Sequence, residues 1–228
     1  MEIKMEFFLD TVNLEKIKRY NENYNITGVT SNPTIFSREK CEFFPTLLKI
    51  REIIGDKQLH VQVTGKTCEE MLKEAETIVD RIDKKVYIKV PTNEEGIKTI
   101  KALKERGYNV TATIVYTLQQ AVMAASVGAD YVAPYFNRMS ENNYNALDEI
   151  ADMAKIFKMY NKPTKLLVAS FRNTNQIMKV LLSGATAVTV APEFYTMMFE
   201  NSSVDSIINR FDNDWSTTFG ANRIFEMK

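Results

Sequence analysis

The sequence predicts an α/β protein in which eight strand–helix units close a parallel barrel, with one extra helix at the C-terminus. Three observations carry this. Eight short apolar runs recur along the chain, each rich in Val, Ile, Phe, Tyr or Thr, as strands buried on both faces are. Longer stretches between them repeat apolar residues at helical spacing. The length of 228 residues is near the roughly 250 typical of a (β/α)8, or TIM, barrel. The competing architecture is an open doubly wound sheet of about five to seven strands, and a count of eight favours closure. No Pro/Gly/Ser-rich linker divides the chain, so residues 1–228 are read as one domain.

The first run is Glu6–Asp10 and the second Gly28–Asn32. The third, Leu59–Thr64, precedes a helical pattern over Thr67–Asp83, where Met71, Leu72, Ala75, Ile78, Val79 and Ile82 recur on one face. The fourth, Val86–Pro91, precedes Asn93–Gly107, with Ile97, Ile100, Ala102 and Leu103 together and Gly107 as a stop. The fifth, Asn109–Val115, leads into Thr117–Gly128, and the sixth is Tyr131–Tyr135. The seventh, Lys165–Ser170, leads into Asn173–Gly184, and the eighth is Ala187–Pro192. Beyond it, Ser203–Phe219 reads as the extra helix. Its stripe of Val204, Ile207, Ile208, Phe211 and Trp215 is expected to pack on its own barrel or on a neighbouring subunit.

Composition excludes several classes of function. The 29 basic and 29 acidic side chains balance, which leaves no basic footprint for nucleic acid and no acidic tail. No apolar run approaches the roughly 20 residues of a membrane span. The opening Met1-Glu2-Ile3-Lys4-Met5-Glu6 carries charges where a secretory leader would be apolar. The two cysteines, Cys41 and Cys68, form no Cys-x-x-Cys pair, so a reducing cytoplasm is expected. The single histidine, His60, argues against histidine-rich metal sites and against a histidine-centred triad. Neither G-x-G-x-x-G nor G-x-x-x-x-G-K-[ST] occurs. No metal and no cofactor is expected.

A barrel of this kind builds its active site where the carboxyl ends of the strands meet. The polar residues there are Asp10, Thr30 with Asn32, Gln62, Lys89, Thr113, Tyr135 and Ser170. Lys89 carries most of the argument. In Val86-Tyr87-Ile88-Lys89-Val90-Pro91 the alternation turns Val86, Ile88 and Val90 toward the helices and Lys89 into the barrel. A buried lysine loses proton affinity, and a neutral amine attacks carbonyls to form a Schiff base. The plain alternative is a structural ion pair between Lys89 and Asp10. Asp10 could pair with Lys89 or relay protons beside it, or cap the helix beginning near Asn13, a role Thr11 could fill equally well. Arg138 and Arg172 follow the sixth and seventh strands. Ser170 and Arg172 lead into a helix that starts near Asn173, and a helix N-terminus with a hydroxyl and guanidinium groups is a favourable phosphate site, the plain alternative being two ordinary loop arginines. His60 shares inward parity with Gln62 and reads as a hydrogen-bonded core histidine.

These segments resemble the small transaldolase-like class I aldolases, and within them the fructose-6-phosphate aldolases. The resemblance rests on Phe7-Phe8-Leu9-Asp10-Thr11, Gly28-Val29-Thr30-Ser31-Asn32-Pro33-Thr34 and Lys89-Val90-Pro91. Tyr131-Val132-Ala133-Pro134-Tyr135, Asn137-Arg138, Ala169-Ser170-Phe171-Arg172 and Phe211-Asp212-Asn213-Asp214-Trp215 extend it over nearly the whole chain. It implies a TIM barrel with Lys89 as the Schiff-base lysine and Asp10 as the acid/base carboxylate. It implies that Asn32, with Thr30 nearby, binds the donor, and that Thr113 positions a water. It gives the phosphate to Arg138 and Ser170, with Arg172 as a second cation. It implies sugar-phosphate and hydroxyketone substrates, and a homo-oligomer, pentamer or decamer, in which the C-terminal helix reaches a neighbour.

Two reactions compete within that resemblance. Transaldolases tend to carry Glu on strand three and Phe on strand six, whereas this chain has Gln62 and Tyr135. Ala133 and Thr111 stand where transaldolases hold the donor with Ser and Asn. The expectation is therefore reversible cleavage of fructose 6-phosphate to dihydroxyacetone and glyceraldehyde 3-phosphate. Transfer of a dihydroxyacetone unit between sugar phosphates is the alternative. The loop Ser140-Glu141-Asn142-Asn143-Tyr144-Asn145-Ala146 departs from the acidic, glycine-rich stretch of many relatives, so acceptor specificity is the property most open to change.

Overall fold

The apolar runs become eight parallel strands in a computed structural model that describes residues 5–220 and 222–227. Residues 1–4, part of the charged opening that argues against a secretory leader, lie outside the described residues. In chain order the elements begin β1 (Glu6–Asp10), α1 (Leu14–Asn23), β2 (Gly28–Thr30), α2 (Pro33–Glu39), α3 (Phe43–Ile54), β3 (Gln58–Gln62) and α4 (Cys68–Arg81). There follow β4 (Tyr87–Pro91), α5 (Glu94–Glu105), β5 (Asn109–Val115), α6 (Leu118–Ser126), β6 (Tyr131–Pro134), α7 (Phe136–Glu141) and α8 (Ala146–Met159). The chain continues with β7 (Lys165–Val168), α9 (Thr174–Leu182), β8 (Ala187–Val190), α10 (Pro192–Met197), α11 (Ser202–Phe219) and a 3-10 turn at Ile224–Glu226. Each strand pairs in parallel with the next, and β8 returns to β1, closing the barrel in sequence order.

One sequence device recurs after the strands. Asn13, Asn32, Thr67, Asn93, Thr117 and Asn173 each accept a backbone N–H of the helix that follows. Such caps satisfy donors that the first helical turn leaves open. They fix where the loops after β1 to β5 and after β7 turn into helices, whereas α7, after β6, has no side-chain cap. Asn32 is therefore a helix cap rather than the end of a strand, and β2 stops at Thr30. Pro33 at the first position of α2 helps to terminate β2 there. Tyr135 and Ser170 likewise fall just beyond β6 and β7.

Inside the barrel, Phe8, His60, Tyr87 and Tyr131 make an aromatic layer. His60 stacks on Tyr87 with centroids 4.5 Å apart, and Phe8 meets His60 edge-on at 5.0 Å. The ring nitrogens of the fully buried His60 lie 2.9 Å from Thr111 Oγ1 and 3.1 Å from Gln58 Oε1. It is the satisfied core histidine that strand parity suggests. Beneath this layer, Glu6 accepts from Tyr131 Oη at 2.8 Å and from Lys165 Nζ at 2.5 Å.

Two close approaches demand glycine. A Cβ on Gly28 would stand 2.0 Å from Gln58 O, and one on Gly96 would stand 1.7 Å from Pro91 O. The second brings the first turn of α5 against the end of β4.

The chain divides into two compact units at Phe194 and Tyr195. In the second unit, α11 has no buried residue, and Val204, Ile207, Ile208 and Phe211 lie exposed along it. The tail folds back on this helix. Trp215 Nε1 donates to Asn222 O at 2.7 Å, and Arg223 pairs with Asp212 at 2.7 Å. Among the described residues no helix is long and apolar enough to cross a membrane.

Candidate active site

A cavity of about 220 Å³ opens at the carboxyl ends of the strands. Lys89 sits in its wall, only 4% exposed, on β4 between the outward Ile88 and Val90. Its Nζ donates to the Ser31 carbonyl at 2.7 Å. Burial lowers the proton affinity of Lys89, and the charge of Asp10 works against that shift. Burial raises the Asp10 carboxyl above its ordinary value, against the opposing pull of Lys89, a hydrogen bond from Thr30 and the charge of Arg38. Each group is pushed toward its neutral form by desolvation and pulled toward its charged form by the other.

Asp10 Oδ1 accepts from Thr30 Oγ1 at 2.7 Å, and Thr30 Oγ1 lies 2.6 Å from Thr189 Oγ1. Thr30 has one hydroxyl proton and gives it to Asp10, so Thr189 donates to Thr30. This chain crosses β8, β1 and β2 and fixes the carboxylate rotamer. Asp10 does not cap α1. Asn13 does, while Thr11 Oγ1 accepts from Asn13 N at 3.2 Å.

On β5 the fully buried Thr113 reaches Tyr135 Oη at 3.1 Å. The strand bulges between Thr113 and Val115, where Ile114 adopts φ +60°. A β-branched residue there is strained, and bulges of this kind re-aim neighbouring side chains. Gln62 behaves differently from the other expected residues. Like Thr30 and Thr113 it is outside the lining of the Lys89 cavity, but it alone borders a second depression, with Phe43, Phe44 and Ile78. Its Oε1 is buried and has no hydrogen-bond partner among the described residues.

Arg138, Ser170 and Arg172 all line the Lys89 cavity, as do Asn32 and Tyr135. Arg138 lies over the Tyr135 ring, 5.2 Å from its centroid. Ser170 has φ +66°, and its carbonyl accepts from Asn137 N at 2.8 Å. The expected phosphate site at the start of α9 is altered in one respect. Gln176 Oε1 accepts the Arg172 N–H at 2.7 Å, and Asn173 Oδ1 accepts the Gln176 N–H at 3.0 Å. Two backbone donors at this helix start are thereby taken.

Sequence reasoning missed Arg38, Thr34 and Thr189, all of which line the cavity. Thr189 was legible: it is the inward polar residue of the apolar Ala187–Val190 strand. Arg38 gave no such signal, since it lies in the last turn of a short helix, where a cation complements the helix dipole.

The closed parallel sheet and the polar mouth define a (β/α)8-barrel protein with a titratable cavity at the customary end. The family model described as Transaldolase/Fructose-6-phosphate aldolase matches residues 7–226. A "Probable fructose-6-phosphate aldolase" from Streptococcus pneumoniae is 41% identical over 213 residues, covering 92% of this chain and 96% of the relative. A "Probable transaldolase" from Geobacillus sp. is 33% identical over 212 residues, covering 93% and 99%. Another, from Clostridioides difficile, is 33% identical over 211 residues, covering 92% and 97%. The chain belongs to the transaldolase/fructose-6-phosphate aldolase family of enzymes.

Proposed function

We propose that the protein is a class I aldolase that reversibly cleaves fructose 6-phosphate to dihydroxyacetone and glyceraldehyde 3-phosphate. One observation carries the reading: the buried amine of Lys89 shares a cavity with a single carboxylate, Asp10. The neutral amine adds to the C2 carbonyl, Asp10 handles the protons as water leaves, and an iminium forms. The C4 hydroxyl then loses its proton to a base, and the C3–C4 electron pair moves into the iminium. The aldehyde departs, the enamine takes a proton at C3, and water hydrolyses the iminium to free the ketone and Lys89.

Thr113, Tyr135 and Gln62 are the candidates for holding the water that moves protons. The Thr113–Tyr135 contact supports the first two, and the unpartnered Gln62 Oε1 supports the third. Asn32 and Thr30 serve the ketone half, Thr30 through its bond to Asp10. Arg138, Ser170 and Arg172 hold the phosphate of the aldehyde half. Borohydride added with substrate is expected to trap a covalent adduct at Lys89, and intact activity in Lys89→Ala overturns the mechanism.

Transaldolase activity is the second reading, favoured by the names of the relatives near 33% identity. Tyr135 favours the aldolase, because its hydroxyl gives a proton-moving water a partner that phenylalanine lacks. Release of free dihydroxyacetone from fructose 6-phosphate decides between them. Group transfer without release establishes the transaldolase. A cytoplasmic homo-oligomer, pentamer or decamer, completes the reading. The exposed apolar stripe of α11 supports self-association, and light scattering measures it.

A further inference from the structure

One circuit of side chains ties together the loops that follow β6 and β7. Asn137 and Glu141 lie one turn apart on α7, and Asn137 Nδ2 donates to Glu141 Oε1 at 2.6 Å. Asn137 Oδ1 accepts from Gln176 Nε2 at 3.4 Å, and Gln176 Oε1 accepts the Arg172 N–H at 2.7 Å. The circuit closes where Arg172 Nη2 stands 3.6 Å from the same Glu141 Oε1. Asn137 is buried and its N–H donates to the Ser170 carbonyl at 2.8 Å, so the carboxylate is held from a fixed point. Arg172 lines the Lys89 cavity, and Glu141 is set back from that lining. The two arginines of this wall therefore differ: Arg138 lies over the Tyr135 ring, whereas Arg172 shares its charge with an acid. Their 3.6 Å separation is too long for a hydrogen bond, and the side chains of Arg172 and Glu141 are 67% and 56% exposed. Such a pair is weak and screened by salt, so a stronger anion can part it.

We propose that Glu141 is a specificity-determining residue: it competes with the phosphate of the aldehyde half for Arg172, and so narrows the preference for phosphorylated over unphosphorylated aldehydes. The proposal rests on the reading that Arg138, Ser170 and Arg172 hold that phosphate. A phosphate monoester carries a charge of about −1.5 to −2 at neutral pH and three acceptor oxygens, so it draws the guanidinium away from a single carboxylate. Its binding then includes the cost of parting Arg172 from Glu141. An aldehyde without phosphate leaves the pair intact and meets no such cost. Glu141 thus weakens one class of substrate while touching neither, and neutralising it tightens the phosphorylated class alone.

The test is addition of dihydroxyacetone to glyceraldehyde 3-phosphate and to glyceraldehyde, run side by side on the wild type, Glu141→Gln, Arg172→Gln and the double variant. Glutamine keeps an oxygen for Asn137 Nδ2 and removes the charge, so the circuit stands. In Glu141→Gln the kcat/KM ratio of phosphorylated to unphosphorylated aldehyde is expected to rise by about two- to fivefold, the range of an exposed pair. The change lies in a lower KM for glyceraldehyde 3-phosphate, with kcat unmoved, and it shrinks at high salt. Arg172→Gln lowers the ratio, and adding Glu141→Gln to it moves the ratio no further. An unchanged ratio in Glu141→Gln, while Arg172→Gln still lowers it, overturns the proposal alone. So does a rise that persists in full without Arg172, which is plain repulsion between carboxylate and phosphate. An unchanged ratio in Arg172→Gln removes Arg172 from the phosphate site and defeats the underlying reading along with the proposal. If no addition product forms, calorimetric binding of inorganic phosphate decides: tighter binding to Glu141→Gln than to the wild type sustains the competition, and equal binding ends it.

Discussion

Lys89 Nζ gives its hydrogen bond to the Ser31 carbonyl at 2.7 Å, not to a carboxylate. A carboxylate partner in contact would hold a proton on the amine. A carbonyl accepts one N–H and leaves a neutral amine with its lone pair free. The backbone just beyond β2 thus orients Lys89 without committing it to the charged form, while Asp10 acts through space.

Burial that depresses Lys89 costs stability wherever the group is still protonated in the folded chain. Its folded pKa lies below the unfolded value near 10.5, so the unfolded chain binds more protons between the two, and stability rises with pH across that window. Below the window the full penalty applies. Lys89→Met therefore melts higher at neutral pH, by roughly 2–4 °C for each kcal/mol gained, while losing all turnover. Scanning calorimetry of both proteins at pH 7 checks the sign, and a lower melting temperature contradicts it.

Asp10 raises the proton affinity of Lys89. Asp10→Asn removes that pull, so the amine deprotonates at lower pH and the ascending limb of imine formation moves to lower pH. Overall turnover falls by about 10²–10⁴, because the proton relay is lost. Trapping rates with borohydride and dihydroxyacetone across pH separate the two effects. A limb that stays in place breaks the assumed coupling.

Tyr135→Phe removes the 3.1 Å contact with Thr113 and leaves the ring beneath Arg138. Release of free dihydroxyacetone is expected to fall by about 10² while transfer to an aldose phosphate falls less. Parallel assays read the ratio, and an equal fall in both activities removes Tyr135 from the control of this choice.

Gly96→Ala tests how the end of β4 is held. The added Cβ would stand 1.7 Å from Pro91 O, so α5 or the strand end must move. A loss of about 1–3 kcal/mol in urea unfolding is expected. Turnover should fall as well, since Pro91 lies two residues beyond Lys89. Unchanged stability would mean that the helix shifts freely.

Much of this was legible in the chain because parallel strands buried on both faces announce themselves by composition and length. Parity alone turned Lys89 inward, because Val86, Ile88 and Val90 had to meet helices. The same rule, applied to Ala187–Val190, would have found Thr189. Arg38 was not legible: it reaches the cavity from a helix, where no strand alternation points to it. Nor was the environment of Gln62, since parity says which way a side chain leaves the strand and not which depression its residue borders. The left-handed backbone of Ile114 and Ser170 was hidden too, because neither residue type advertises that conformation.

Glu6, Tyr131 and Lys165 cork the barrel at the end away from Lys89, under the packed rings of His60 and Tyr87. Among the described residues these groups fill the barrel behind the amine, so arrivals and departures share the doorway at the carboxyl ends of the strands. On the proposed chemistry this imposes an order on traffic: the aldehyde fragment must clear the threshold while its partner is still leashed to the lysine. The next acceptor and the hydrolytic water then compete for the same vacated space, which makes the choice between lyase and transferase a contest over who enters first.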